Sequence, residues 1–228
     1  HQIVEFYKML SQKSSKIKML SKGMTDAGYP LNLILLDNDR MFDPDKWHHS
    51  GKVVIMINNG IHPGEPDGID ASMMLVRDYI NGKVKLPQNV SLAIIALYNI
   101  GGALNRNQLS RVSQNGPEAY GFRGNAQNLD LNRDFIKSDS KNARSFAEIF
   151  HWLNPDILVD NHVSDGADYP YIISLISTQY DKLGPILGSW MRDEFDPDLY
   201  KKMKLKNWDM TPYVNVFGKD PSVGFSMF

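Results

Sequence analysis

Three segments of the sequence gather side chains suited to binding metals or carboxylates. In Asn58-Asn59-Gly60-Ile61-His62-Pro63-Gly64-Glu65-Pro66-Asp67-Gly68, His62 and Glu65 stand three apart inside a Gly/Pro turn. Such a turn can aim an imidazole nitrogen and a carboxylate at one cation, and for this composition a chance His-x-x-Glu is expected only about 0.1 times. Taken alone, the segment also reads as an ordinary polar loop. In Asp130-Leu131-Asn132-Arg133-Asp134-Phe135 an amide and a guanidinium are adjacent, offering donors in fixed directions that suit bidentate contact with a carboxylate. The other reading is a solvated loop arginine paired with Asp134. In Leu158-Val159-Asp160-Asn161-His162-Val163-Ser164 a buried apolar strand ends in polar groups, and His162 is either a ligand or a hydrogen-bonded structural residue. Together, one glutamate and two histidines supply three ligands to a tetrahedral zinc and leave the fourth position open, the arrangement of a catalytic site.

These residues need elements to hold them. Residues 31–36, Val53–Asn58, residues 90–98 and Ile157–Asp160 are short runs rich in branched apolar residues, bounded by Gly, Pro or Asn, as buried strands are. Residues 66–80 and Lys141–Leu153 carry helical periodicity, and the first 20 or so residues read as an amphipathic helix interrupted near Ser14-Ser15. The alternation predicts an α/β fold, a mixed β-sheet flanked by helices on both faces, in a single domain over 1–228. His62 and His162 then follow strands at their carboxyl ends, where open α/β sheets place ligands. Met73-Met74 and Trp152-Leu153 read as core packing, and His48-His49 as a solvated pair.

Composition narrows the functional classes. With 25 basic and 26 acidic side chains, net charge -1 and no basic tract, nothing resembles a nucleic-acid surface. The absence of cysteine excludes a disulfide scaffold, thiolate nucleophiles and Cys-type zinc sites. The 42% hydrophobic and 22% charged fractions are those of ordinary globular chains and exclude disorder as the main state. The longest nearly apolar stretch is far short of the ~18–20 residues of a spanning helix. The chain opens at His1 with no charged-then-apolar leader, so any targeting peptide has been removed or was never present.

The ordered set His-x-x-Glu, Asp-x-Asn-Arg and a strand-borne His resembles the zinc metallocarboxypeptidases of the funnelin type, from about Leu31 to about Ser164. The resemblance implies a zinc carboxypeptidase-like (phosphorylase/hydrolase-like) sandwich with zinc on His62, Glu65 and His162. It implies Asn132 and Arg133 as the anchor for the C-terminal carboxylate of a peptide substrate, and Arg123 as the arginine that polarises the scissile carbonyl. Asp130 matches the carboxylate that hydrogen-bonds the first ligand histidine. The implied activity is hydrolysis of C-terminal peptide bonds through a metal-activated water, in a secreted or periplasmic protein.

The resemblance has gaps. Asn99-Ile100-Gly101-Gly102 stands where the family often has Asn-Pro-Asp-Gly, and Val163 where a serine commonly follows the ligand histidine. The family's glutamate base and substrate-capping tyrosine lie well after the third ligand, whereas Glu194 is the only glutamate after His162 and reads as the end of an exposed helix. The implied base and tyrosine are therefore expected beyond Phe228, with the C-terminal part of the domain missing and the 228 residues alone short of normal turnover. Asp165 and Asp168 are candidates for a pocket rim, and Tyr169, Tyr171 and Tyr213 for substrate approach. Two alternatives stand beside the peptidase. One is an amidohydrolase of the succinylglutamate desuccinylase/aspartoacylase type, which usually continues Asn-Arg into Phe-Pro-Gly where this chain has Phe135-Ile136-Lys137. The other is a non-catalytic zinc- or peptide-binding relative.

Overall fold

The computed structural model describes residues 1–111, 116–164 and 169–213. They fall into two compact units, His1–Gly166 and Ala167–Phe228. The first unit is built on a five-stranded sheet of β1 (Ile17–Met24), β2 (Pro30–Leu36), β3 (Val53–Asn58), β4 (Val90–Ile95) and β7 (Ile157–Asp160), in the order β1-β2-β4-β3-β7. β2 pairs antiparallel with β1 on one side and with β4 on the other, and β4-β3-β7 run parallel. The sheet is therefore mixed, as the sequence predicts, and the unit also holds α4 (Ile100–Leu104) and an antiparallel pair of short strands, β5 (Arg106–Asn107) and β6 (Tyr120–Gly121).

Strand period explains both faces. Leu31, Leu33 and Leu35 of β2, Val54 and Met56 of β3, and Ala93 and Ile95 of β4 point to one face. They meet Phe146, Ile149 and Leu153 of α5 (Lys141–Leu153) and Trp47 of α2 (Pro44–His49). The alternate residues Ile34, Leu36, Leu92 and Ile94 meet Tyr7 and Leu10 of α1 (Gln2–Lys13) and Val76 and Tyr79 of α3 (Asp67–Ile80). Central strands covered on both faces are apolar at nearly every position, which is why they stand out as almost unbroken runs.

Several expectations are corrected. The first helix ends at Lys13, and Ile17–Met24 is a strand paired from Ile17↔Leu36. Its apolar Ile17, Leu20 and Met24 are spaced three and four apart, which imitates a helix, but pairing with β2 decides the conformation. The strand at 90–98 stops at Ile95. Among the described residues β7 is the last strand of the sheet, and its Leu158 and Val159 are exposed there, where the composition implies a buried strand. Met74 is exposed rather than packed. His48 is not simply solvated, since its Nε2–H donates to the Leu153 carbonyl at 2.9 Å.

The second unit pairs β8 (Ile173–Leu175) with β9 (Met210–Pro212) in parallel, with α6 (Gly184–Trp190), a π-helical turn (Met191–Phe195) and α7 (Asp196–Lys204) between them. Among the described residues, no helix is long and apolar enough to cross a membrane.

Candidate metal centre

The turn after β3 carries the first two residues. Gly60 has φ +67, a left-handed conformation that side chains adopt poorly, and it redirects the chain so that His62 and Glu65 are buried above the strand ends. α3 then starts at Asp67, and a Cβ on Gly68 would lie 2.3 Å from Asn161 Cβ. Only glycine lets this helix approach the end of β7 so closely, which brings Glu65 to His162.

The three side chains converge. His62 Nδ1 and His162 Nδ1 each lie 3.0 Å from a different oxygen of Glu65, with the rings 5.3 Å apart. One ligand atom from each residue lies within 4.8 Å of the others. Behind them, His62 Nε2 contacts Asp130 Oδ1 and His162 Nε2 contacts Asp160 Oδ2, both at 3.0 Å. Each imidazole thus has a carboxylate oxygen at both nitrogens. Carboxylates only accept, so either each ring carries two protons or a cation takes the place of the Nδ1 protons. With Nε2–H donating backwards, both Nδ1 lone pairs face a common point beside Glu65, which is the donor set of a divalent metal. The residues fit zinc.

Charge around the cluster follows from these contacts. Burial alone would raise the Glu65 carboxyl, but hydrogen bonds from His162, His62 and the Val163 N–H (3.0 Å) outweigh it and hold the group far below the usual carboxylate range. Burial likewise disfavours a charged His162, yet Asp160 and Glu65 overcome it and push the ring up to about 9. For Asp130 the upward effect of burial is exceeded by His62, Arg123 and the Asn132 N–H.

The other predicted residues take distinct places. Arg123 Nε donates to Asp130 Oδ2 at 3.0 Å, and its Nη1 lies 3.5 Å from His62 Nδ1, so Arg123 adjoins the cluster. Asn132 and Arg133 form a 3-10 turn (Leu131–Arg133) capped by Asp130, whose Oδ1 accepts the Asn132 N–H. Arg133 is exposed and donates to the Asn132 carbonyl. It does not pair with Asp134, whose buried carboxylate accepts from Ser140 and the Asp139 N–H. Glu194 is exposed on the π-helical turn of the second unit. Tyr169 and Tyr213 face each other in that unit at 6.1 Å, and Tyr171 is exposed there. Asp165 and Asp168 lie outside the described residues.

Sequence patterns passed over two contributors. Buried Arg111 places Nη2 2.9 Å from Glu65 Oε1, in space left by Gly64, where a Cβ would meet Arg111 Cγ at 2.6 Å. No motif surrounds this arginine. Asn99 donates to the carbonyls of Ile61 and Arg123 while accepting from Gly102 N–H, tying the two loops that bear His62 and Arg123. Its place at the end of the apolar run was the available signal.

No family profile and no curated protein matches the chain. Solved structures do. A protein provisionally named carboxypeptidase from Burkholderia mallei ATCC 23344 superposes with TM-score 0.68 at 18% identity, over 96% of this chain and 50% of its own. A provisionally named carboxypeptidase A from Shewanella denitrificans OS-217 gives 0.64 at 18%, over 95% and 50%. This is a carboxypeptidase fold. The metallo-carboxypeptidase from Pseudomonas aeruginosa, solved with (2-guanidinoethylmercapto)succinic acid, shares that fold at TM-score 0.60 and 12% identity, over 100% of this chain and 52% of its own. The chain thus spans about half the length of the carboxypeptidases it matches. At these identities the likeness is one of fold, and the mixed sheet flanked by helices agrees with the architecture the sequence implies.

Proposed function

We propose that this carboxypeptidase-like chain carries the metal centre of a zinc-dependent metallocarboxypeptidase that hydrolyses C-terminal peptide bonds. The observation that carries the reading is the convergence of His62 Nδ1 and His162 Nδ1 on the Glu65 carboxylate, with a carboxylate behind each ring. Zinc held by His62, Glu65 and His162 supplies Lewis acidity, polarising a carbonyl and making water a better nucleophile near neutral pH.

The remaining chemistry belongs to the side chains. Arg123, fixed through Nε by Asp130, presents the rest of its guanidinium beside the cluster, where it stabilises negative charge developing on the carbonyl oxygen. Asn132 and Arg133 anchor the terminal carboxylate of the peptide, Arg133 by a charge-assisted pair that places the last peptide bond at the metal. Glu65, Asp130 and Asp160 each hold a histidine, so none of them takes the proton from water. As the family resemblance implies, that role belongs to a glutamate placed well after His162.

Metal analysis and assay of the purified protein test the reading. One equivalent of zinc should bind, and N-blocked dipeptides should be cleaved weakly by the 228 residues alone and normally by a longer chain that supplies the base, in both cases in a chelator-sensitive, zinc-restorable manner. Equal cleavage of C-terminally amidated peptides, or preference for N-acyl amino acids over dipeptides, overturns the peptidase assignment.

A further inference from the structure

Asp160 lies in the segment that brings out His162 but is given no role there, yet its position is fixed as tightly as those of the metal ligands. It ends β7, two residues before His162, and alternate residues of an extended chain share a face. Its Oδ2 meets His162 Nε2 at 3.0 Å. Its Oδ1 accepts from Asn58 Nδ2 at 2.9 Å, and Asn58 is its register partner on the parallel strand β3. The adjoining backbone is locked as well: Asn161 N–H donates to the Asn58 carbonyl at 3.0 Å and Asn161 Nδ2 to Asn59 Oδ1 at 2.8 Å. Asn58 is fully buried, and its Oδ1 has no hydrogen-bond partner among the described residues. A buried amide oxygen without a partner is uncommon. Turning the amide over would set that oxygen against Asp160, so the orientation is the one that serves the carboxylate.

We infer that Asp160, steered by Asn58, is a positioning residue that fixes the His162 ring and its Nε2–H tautomer so that Nδ1 is presented to the metal. Asp160 does for His162 what Asp130 does for His62. The two supports differ in origin, since Asp130 comes from a loop that Arg123 also holds, while the Asn58–Asp160 pair is part of the sheet ladder. The inference rests on the proposed metal-binding function.

The test is zinc affinity by competition with a chromophoric chelator, together with the ring N–H signals of 15N-histidine-labelled, zinc-loaded protein. Asp160→Asn should lower zinc affinity by about 10–100-fold. It should move the His162 Nε2–H resonance while leaving that of His62 in place, and Asp130→Asn should do the reverse. Asn58→Leu should weaken zinc binding less than Asp160→Asn and move the same resonance. Circular dichroism of each metal-free variant identifies any that fail to fold, and Asp160→Glu, which keeps the charge, should recover part of the affinity. Unchanged zinc affinity and an unmoved His162 signal in Asp160→Asn overturn the inference while leaving the metal centre standing. Failure of the unaltered protein to bind zinc overturns the proposed function and this inference with it.

Discussion

Two buried charge clusters sit on the same sheet, one at each end of the parallel strands. At the end where β3 and β4 begin, Asp37 is fully buried, and its carboxylate takes Lys52 Nζ at 2.5 Å, Ser91 Oγ at 2.7 Å and the N–H groups of Asp39 and Met41. Burial pushes the Asp37 carboxyl upward, but these donors prevail and hold it below its ordinary range. Lys52 also reaches Asp39 at 2.7 Å. At the other end, Glu65 is as buried, but the groups facing it include two imidazoles whose own far sides are held by carboxylates. Among the described residues the first cluster has as its cation only Lys52, permanently charged and tethered to the chain. The second also has a permanent cation, Arg111 at Glu65 Oε1, but adds two imidazoles whose protons can leave. Burial of charge alone therefore does not distinguish the two clusters, and the presence of imidazoles with exchangeable protons does.

The largest effect should come from the closed cluster. Lys52→Met strands the Asp37 charge, and breaking such a pair costs about 3–5 kcal/mol. Urea unfolding should show that loss, while zinc affinity stays within error of the unaltered protein. A large change in zinc affinity would show that the two ends are coupled after all.

The open cluster should respond to ligand instead. Zinc at a thousandfold above its dissociation constant should stabilise the protein by about 4 kcal/mol, read as a rise in Tm. In Glu65→Gln the rise should vanish.

Arg133→Ala should leave both clusters folded. In a longer chain that supplies the base, it should lower kcat/KM by about 10–100-fold on substrates with a free terminal carboxylate, the range expected for a lost charged hydrogen bond. Amidated substrates should be nearly unaffected, and an equal loss on both would remove Arg133 from the anchor role.

The smallest effect is graded with pH. His162 is held up to about 9 in the metal-free protein, against an ordinary 6.5. The stability it contributes as a cation is complete below pH 6.5 and is lost as pH rises through about 9. Zinc must displace that proton, so its apparent affinity should climb by up to about tenfold per pH unit toward pH 9 and then level. Chelator competition across that range measures the slope, and a flat profile would mean that His162 is already neutral.

The sequence reveals the open cluster better than the closed one. His62, Glu65 and His162 are readable because ligand chemistry restricts residue type and because each follows a strand. Central strands β2, β3 and β4 are readable because burial on both faces leaves one polar residue in each, Asn32, Asn58 and Ser91, in otherwise apolar runs. Edge strands carry no such constraint: β1 imitates a helix, and β7 shows apolar residues that prove exposed. Arg111 and the Asp37–Lys52 pair were illegible for another reason. Their partners are distant in sequence, and an isolated arginine or lysine says nothing of where it will fold.

The pairing of β3 with β7 has a consequence for the mechanics of the chain. Asn58 and Asp160 are 102 positions apart, and β7 is attached along one side through four register pairs from Ile55↔Ile157 to Asn58↔Asp160. Closing so long a loop is slow in folding, and a terminal strand held on one side is an early place to fray. An ion ligated by His62 and His162 would staple the two ends of that loop just past its last register pair. Amide exchange in β7 should then slow on metal addition more than exchange in β2, making the edge strand a built-in gauge of occupancy.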